Sequence, residues 1–230
     1  MLEECGLAFN HVPVNLTRGD QFKPAFLRIS PNNRMPAIVD RAGSRPLAVF
    51  ESGTILLHLA RRSGMFCPPE SELAARKATE EWLFWQVGNL GPMAGQLSHF
   101  QNYAPHVDPS ADHAYAVRRY RGEYERLLRV MDTRLASSRY LAGPLYTIAD
   151  MACFGWVLGH KNFLVPLEPF PSLQRWYDEL KVRPALRRGV NLGKEDQPIS
   201  ATIAQTDREC LQNLFVQDGA TVSDGTTGGN

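Results

Sequence analysis

The residues best placed to do chemistry are Glu51 and Ser52. They stand between a short apolar run, Leu47-Ala48-Val49-Phe50, and a helical pattern led by Ile55, Leu56 and Leu59. Ser52 is the predicted N-cap of that helix, because a serine hydroxyl accepts from early backbone N–H groups. The first turn of a helix leaves N–H groups without intrahelical partners, and the helix dipole adds positive potential there. A hydroxyl beside such donors suits a carboxylate. The competing reading of Ser52 is a cap and nothing more. The other reactive residue types show less pattern. Cys5, Cys67, Cys153 and Cys210 are scattered and form no CxxC, which argues for reduced thiols in a cytoplasmic compartment and against a disulfide frame or zinc site. The six histidines show no metal-ligand spacing.

The elements that must position Glu51 and Ser52 are legible around them. Ala37–Val39 and Leu47–Phe50 read as short strands, with Gly43 and Ser44 at the tip of the turn between them, so the pair is a predicted hairpin. Pro36 opens its first strand, where a missing N–H is tolerable. Upstream, Met1–Gly6 reads as the end of a helix stopped by Gly6. Ala8–Leu16 reads as a strand, confined to a sheet edge by Pro13. Pro24 opens a short helix through Phe26, Leu27 and Ile29.

Beyond a linker at Ser63–Ser71, broken by Pro68-Pro69, helical periodicity dominates. A helix is expected over Ala74–Gln86, bent or broken after it by Gly88, Gly91 and Pro92. Ala114–Leu135 carries the clearest amphipathic pattern, and Pro171–Leu180 a shorter one with Leu173, Trp176 and Leu180 inward. Thr147-Ile148-Ala149-Asp150 is a capping-box variant with Asp at its fourth position. The composition shifts after Gln197, and residues 196–230 are expected to be disordered, apart from a possible amphipathic helix over Ala204–Val216. The 230 residues are 43% hydrophobic and 21% charged with a net charge of +1, an ordinary globular balance. Neither a nucleic acid nor a membrane is the expected partner, since no block of like charges and no membrane-length apolar run occurs.

Two strings carry a family resemblance. "NNRMPAIVD" followed by "FESGTILLHLA" resembles the glutathione half of a soluble glutathione transferase. The longer "GDQFKPAFLRISPNNRMPAIVD", with "WLFWQVGNLGPMAGQ" downstream, is similar to the nu-class subgroup, known for glutathione-dependent disulfide reduction. The resemblance runs from about Met1 to Lys194. It implies an α/β plus all-α fold: a truncated thioredoxin-like glutathione-binding domain over 1–65, then an all-helical domain over 73–195. It also implies a cis Met35-Pro36 bond, a Met35 backbone that pairs with the cysteinyl part of glutathione, and a Glu51-Ser52 pair that holds its γ-glutamyl end. Gln21 matches the residue on the glycyl end, although a solvated loop residue is an equal reading. Arg119 matches a helical-domain arginine facing the site, although it reads equally as a solvent arginine like Arg118 and Arg121. Glutathione is the implied cosubstrate, a small electrophile or disulfide the implied second partner, and a homodimer the implied assembly.

One departure from the family pattern matters. The family's activating Thr or Asn lies on a loop after a first strand, and nothing here matches that motif. No residue is therefore assigned a catalytic role, Cys5 included, since it falls at a helix end. The 230 residues are expected to show little transferase or reductase activity, and the Ala8–Leu16 strand to lack a neighbour. Two other classes stay open: a non-catalytic binding or regulatory protein of this family, and an incomplete gene product.

Overall fold

Secondary structure in residues 1–193 and 208–215, the residues that the computed structural model describes, follows apolar periodicity with a few local exceptions. Two compact units are present. The larger comprises Met1–Phe9 and Leu56–Leu192, and the smaller Asn10–Ile55 with the C-terminal segment from Gly193.

In the smaller unit, helix α1 spans Pro24–Leu27, with Pro24 supplying the expected opening. Strands β1 (Ala37–Asp40) and β2 (Leu47–Phe50) pair antiparallel, Ala37 opposite Phe50 and Asp40 opposite Leu47. The hairpin is as the sequence implied, and β1–β2 is the whole sheet among the described residues. The expected Ala8–Leu16 strand does not form. A strand is defined by a neighbour's hydrogen bonds, and none is paired with this segment. Side chains capture its end instead: Asn15 Oδ1 accepts from the Arg18 N–H at 3.2 Å, and Asp20 Oδ2 accepts from the Asn15 N–H at 3.0 Å. These local bonds wind Leu16–Arg18 and Asp20–Phe22 into two 3₁₀ turns.

Helix α2 (Ser52–Ser63) runs from one unit into the other. The larger unit then holds α3 (Leu73–Trp85), α4 (Gly91–Ser98), α5 (Ala104–Val107), α6 (Ala114–Ala136), α7 (Ile148–Leu158), α8 (Pro171–Lys181) and α9 (Pro184–Asn191). The break expected after α3 is a π-helical turn over Gln86–Leu90, and α4 follows without a gap. Gly91 is there for space: a Cβ on it would lie 2.8 Å from Gln86 Nε2 and 3.2 Å from Trp156 Nε1. The core gathers Leu90, Leu97, Tyr124, Leu128, Met131 and Trp176, with further residues of α7 and α8.

The capping box is complete and more than a cap. Asp150 Oδ2 accepts from the Thr147 N–H at 3.0 Å, and the Thr147 hydroxyl accepts from the Ala149 N–H at 3.3 Å. Asp150 Oδ1 also accepts from the Leu141 N–H at 3.0 Å and from the Trp176 indole at 2.8 Å. One buried carboxylate thus ties α7 to α8 and to the loop before it. Burial raises this carboxyl above the usual aspartate range, and its donors oppose that push.

Of the C-terminal residues expected to be disordered, Arg208–Phe215 is a helix, α10. The rest of 196–230 lies outside the described residues.

Candidate functional site

Glu51 ends β2 in a conformation that side chains avoid, φ 66°. A non-glycine residue there costs on the order of 1 kcal/mol or more, and such strain gathers at functional positions. The Glu51 carbonyl accepts from the Ile55 N–H at 2.9 Å, the first bond of α2. The cap position is therefore Glu51, and Ser52, expected there, is the first helical residue. This correction leaves the Ser52 hydroxyl unspent: its side chain bonds to none of the described residues and is exposed. The first turn of α2 contains no acidic residue to compete for its N–H groups. Glu51 itself is exposed, with Asn32 Nδ2 at 3.5 Å from Oε1.

The loop before β1 is built by buried polar groups. The Ser30 hydroxyl donates to the Arg34 carbonyl at 2.8 Å, and the Asn33 N–H donates to the Ser30 carbonyl at 3.0 Å. Asn33 takes φ 47°, which asparagine tolerates better than most residues. The Met35-Pro36 bond that follows is cis, and both residues are exposed. Beside them is a cavity of about 170 Å³ lined by Leu16, Gln21, Asn33, Arg34, Met35 and Leu214. Gln21 is 2% exposed and Asn33 6%. Gln21 Oε1 and Asn33 Nδ2, on two residues that line the cavity, are buried without a hydrogen-bond partner.

The smaller unit therefore brings Gln21 and Met35 together on one cavity, and carries Pro36, Glu51 and Ser52 as well. Gln21 is buried, which removes its reading as a solvated loop residue. Arg119 belongs to α6 in the larger unit, where Glu123 lies 3.6 Å from its guanidinium. Sequence reading missed Asn33, although it sits inside the quoted motif. The signal was available: an Asn-Asn pair before a proline strand suits a left-handed turn. It also missed Leu214, which lies 193 positions from Gln21 and has no local pattern linking them.

The larger concavity is elsewhere. It is an open groove of about 980 Å³ along α3, bordered by Leu73, Phe84 and Trp85 and by alternating charges, Arg76 with Glu80 and Lys77 with Glu81. None of the motif residues lines it. Among the described residues, no cluster of histidine, cysteine and acidic side chains fits a metal ion, and no helix is long and apolar enough to cross a membrane.

Comparison with known proteins agrees with this architecture. Residues 1–61 match the glutathione S-transferase N-terminal domain, and residues 100–184 the C-terminal domain. The chain is 46% identical over 187 residues to the disulfide-bond oxidoreductase YfcG of Escherichia coli (strain K12), covering 80% of this chain and 84% of that protein. It is 37% identical over 214 residues to YghU of the same organism, another disulfide-bond oxidoreductase, covering 87% of this chain and 72% of that protein. A crystal structure of a glutathione transferase family member from Pseudomonas fluorescens pf-5, with two glutathione bound, superposes with a TM-score of 0.76 at 39% identity, covering 82% of this chain and 84% of that one. With its hairpin, its strained Glu51 and its all-helical larger unit, the chain belongs to the glutathione transferase family.

Proposed function

We propose that this protein binds glutathione on its smaller unit and that the reaction it serves is glutathione-dependent disulfide reduction, slow in these residues because none matches the family's activating donor, with conjugation to a small electrophile as the related chemistry. The observation that carries this reading is the start of α2: a free Ser52 hydroxyl and the first-turn N–H groups, presented by a strained Glu51. In this reading those donors take the γ-glutamyl carboxylate, and the Glu51 carboxylate takes the ammonium beside it. The Met35 backbone, turned by Pro36, pairs with the cysteinyl peptide unit. Gln21 takes the glycyl end. Glutathione is a cosubstrate here and no other cofactor enters.

The chemistry is thiol–disulfide exchange. A glutathione thiolate attacks one sulfur of the substrate disulfide, forming a mixed disulfide and expelling the other sulfur as a thiolate. A second glutathione thiolate then attacks the glutathione sulfur of the mixed disulfide. Oxidised glutathione forms, and the remaining substrate sulfur leaves as a thiolate. The substrate pair brings every sulfur, so the protein needs no cysteine of its own. None of its four cysteines is in a disulfide, which supports a reducing, cytoplasmic setting. The exposed Leu73 and Phe84 on the α3 groove support a homodimer through that face. Light scattering tests the assembly, and a monomer at high concentration would count against it. Calorimetry with glutathione, paired with an assay of a small organic disulfide, tests the main reading. Absence of heat on titration would overturn it.

A further inference from the structure

Helix α10 lies on the turns that carry Gln21. Gln21 Nε2 donates to the Asn213 carbonyl at 3.0 Å, and Asn213 Nδ2 donates back to the Thr17 carbonyl at 3.0 Å. The next residue, Leu214, walls the cavity with Leu16 and Met35. Asn213 is in the last turn of α10, where carbonyls have no intrahelical partner and the helix dipole is negative. No basic side chain in that turn offsets it. To the Gln21 amide, the end of α10 presents an oxygen with partial negative charge, as a carboxylate would. The space that α10 closes has the volume of about five waters, enough for one glycyl unit. Two buried polar atoms on residues that line it, Gln21 Oε1 and Asn33 Nδ2, have no partner with α10 in place.

We propose that α10 is an autoinhibitory strap, which competes with the glycyl carboxylate of glutathione for the Gln21 amide and the adjoining cavity. This rests on the glutathione reading of the smaller unit. With α10 docked, the amide is spent on the chain's own backbone. With α10 released, the Gln21 and Asn33 amides are both open to an anionic group. Binding must then draw on the released fraction, which lowers the apparent affinity by that fraction.

The test uses the full chain and reduced glutathione. Asn213→Ala together with Leu214→Ala removes the clamp on Thr17 and the apolar wall, and leaves Gln21 in place. Calorimetry should show glutathione binding about threefold to tenfold tighter than in the unsubstituted chain, the range set by about one net hydrogen bond. In the unsubstituted chain, saturating glutathione should speed amide hydrogen exchange within residues 211–215. This second measurement holds even if the double variant folds poorly. Equal or weaker binding by a folded variant, or exchange slowed or unchanged by bound glutathione, overturns the strap and leaves the glutathione reading standing. If neither chain binds glutathione, that reading falls and the strap falls with it.

Discussion

The two units of this molecule are held together differently. The larger one buries long apolar side chains completely, among them Leu83, Leu97, Tyr124, Leu127, Leu141 and Trp176. Among the described residues of the smaller one, five side chains are buried, and three of these are polar: Gln21, Ser30 and Asn33 beside Val49 and Ile55. Apolar burial contributes roughly 1.5–3 kcal/mol per large side chain, whereas a hydrogen bond contributes about 1 kcal/mol net. The larger unit therefore has the driving force for a rigid scaffold. The smaller unit has less, and it carries the strained Glu51, the left-handed Asn33 and the unmatched amides. Sites that must exchange ligands are drawn from the less stable parts of a protein.

The heaviest blow to this contrast is Asp150→Ala. It strips acceptors from the Leu141 and Thr147 N–H groups and from the Trp176 indole, all buried. Leaving such donors unmatched should cost about 3–5 kcal/mol, a large part of an ordinary domain's stability. All four tryptophans, Trp82, Trp85, Trp156 and Trp176, lie in the larger unit, so their fluorescence during thermal unfolding reads that unit alone. A loss below about 1 kcal/mol would show that the box is only a helix cap.

Next in size is the effect on rate. Residues 1–230 contain no match to the family's donor loop, and the thiolate needs a donor. Extending these residues with the donor loop that the family resemblance implies should raise disulfide-reductase turnover about a hundredfold, the usual worth of one preorganised electrostatic donor. Equal turnover by the two forms would mean that another group polarises the sulfur.

How much of this was legible beforehand depended on the range of the forces involved. The hairpin, the capping box and α6 were readable because each is fixed by residues within a few positions of one another. Ser52 was placed one position early, because a strained Glu51 as cap runs against the usual preference for an extended cap residue. The Ala8–Leu16 strand was misread because strand propensity is a statement about neighbours, and its competitor was a set of Asn15 and Asp20 side-chain bonds. In the site, Met35-Pro36 and Glu51-Ser52 stood out as a motif. The contact of Gln21 with Asn213, 192 positions apart, could be found only in three dimensions.

A smaller effect falls on the smaller unit. Ser52→Ala removes one hydroxyl donor from a carboxylate site and leaves the backbone donors. A hydrogen bond to a charged group contributes roughly 1.5–3 kcal/mol, so glutathione should bind about tenfold more weakly or worse by calorimetry. Tryptophan fluorescence should report an unchanged larger unit. Unchanged affinity would return Ser52 to a plain helix residue.

The smallest expected effect tests whether the larger unit's surface contributes to its advantage. Glu179 accepts from the Tyr140 hydroxyl at 2.6 Å and from Arg139 at 2.7 Å, with Arg175 at 3.6 Å. Partial burial pushes its carboxyl upward, but the Tyr140 and Arg139 bonds outweigh that and hold it below its ordinary value of 4.5. A depressed folded-state value means that the unfolded chain takes up the proton first as acid is added. The stabilisation is therefore complete above about pH 4.5 and is lost as pH falls through the lower, folded-state value. Arg139 is mostly exposed, so solvent screening should keep the gain small. Glu179→Gln keeps an acceptor for Tyr140 and removes the charge. Urea unfolding followed by tryptophan fluorescence should show the variant slightly less stable at pH 7, with a shallower fall as pH drops below 4.5. Parallel acid profiles for the two chains would mean that this network adds nothing, and that the larger unit's advantage lies wholly in its apolar core.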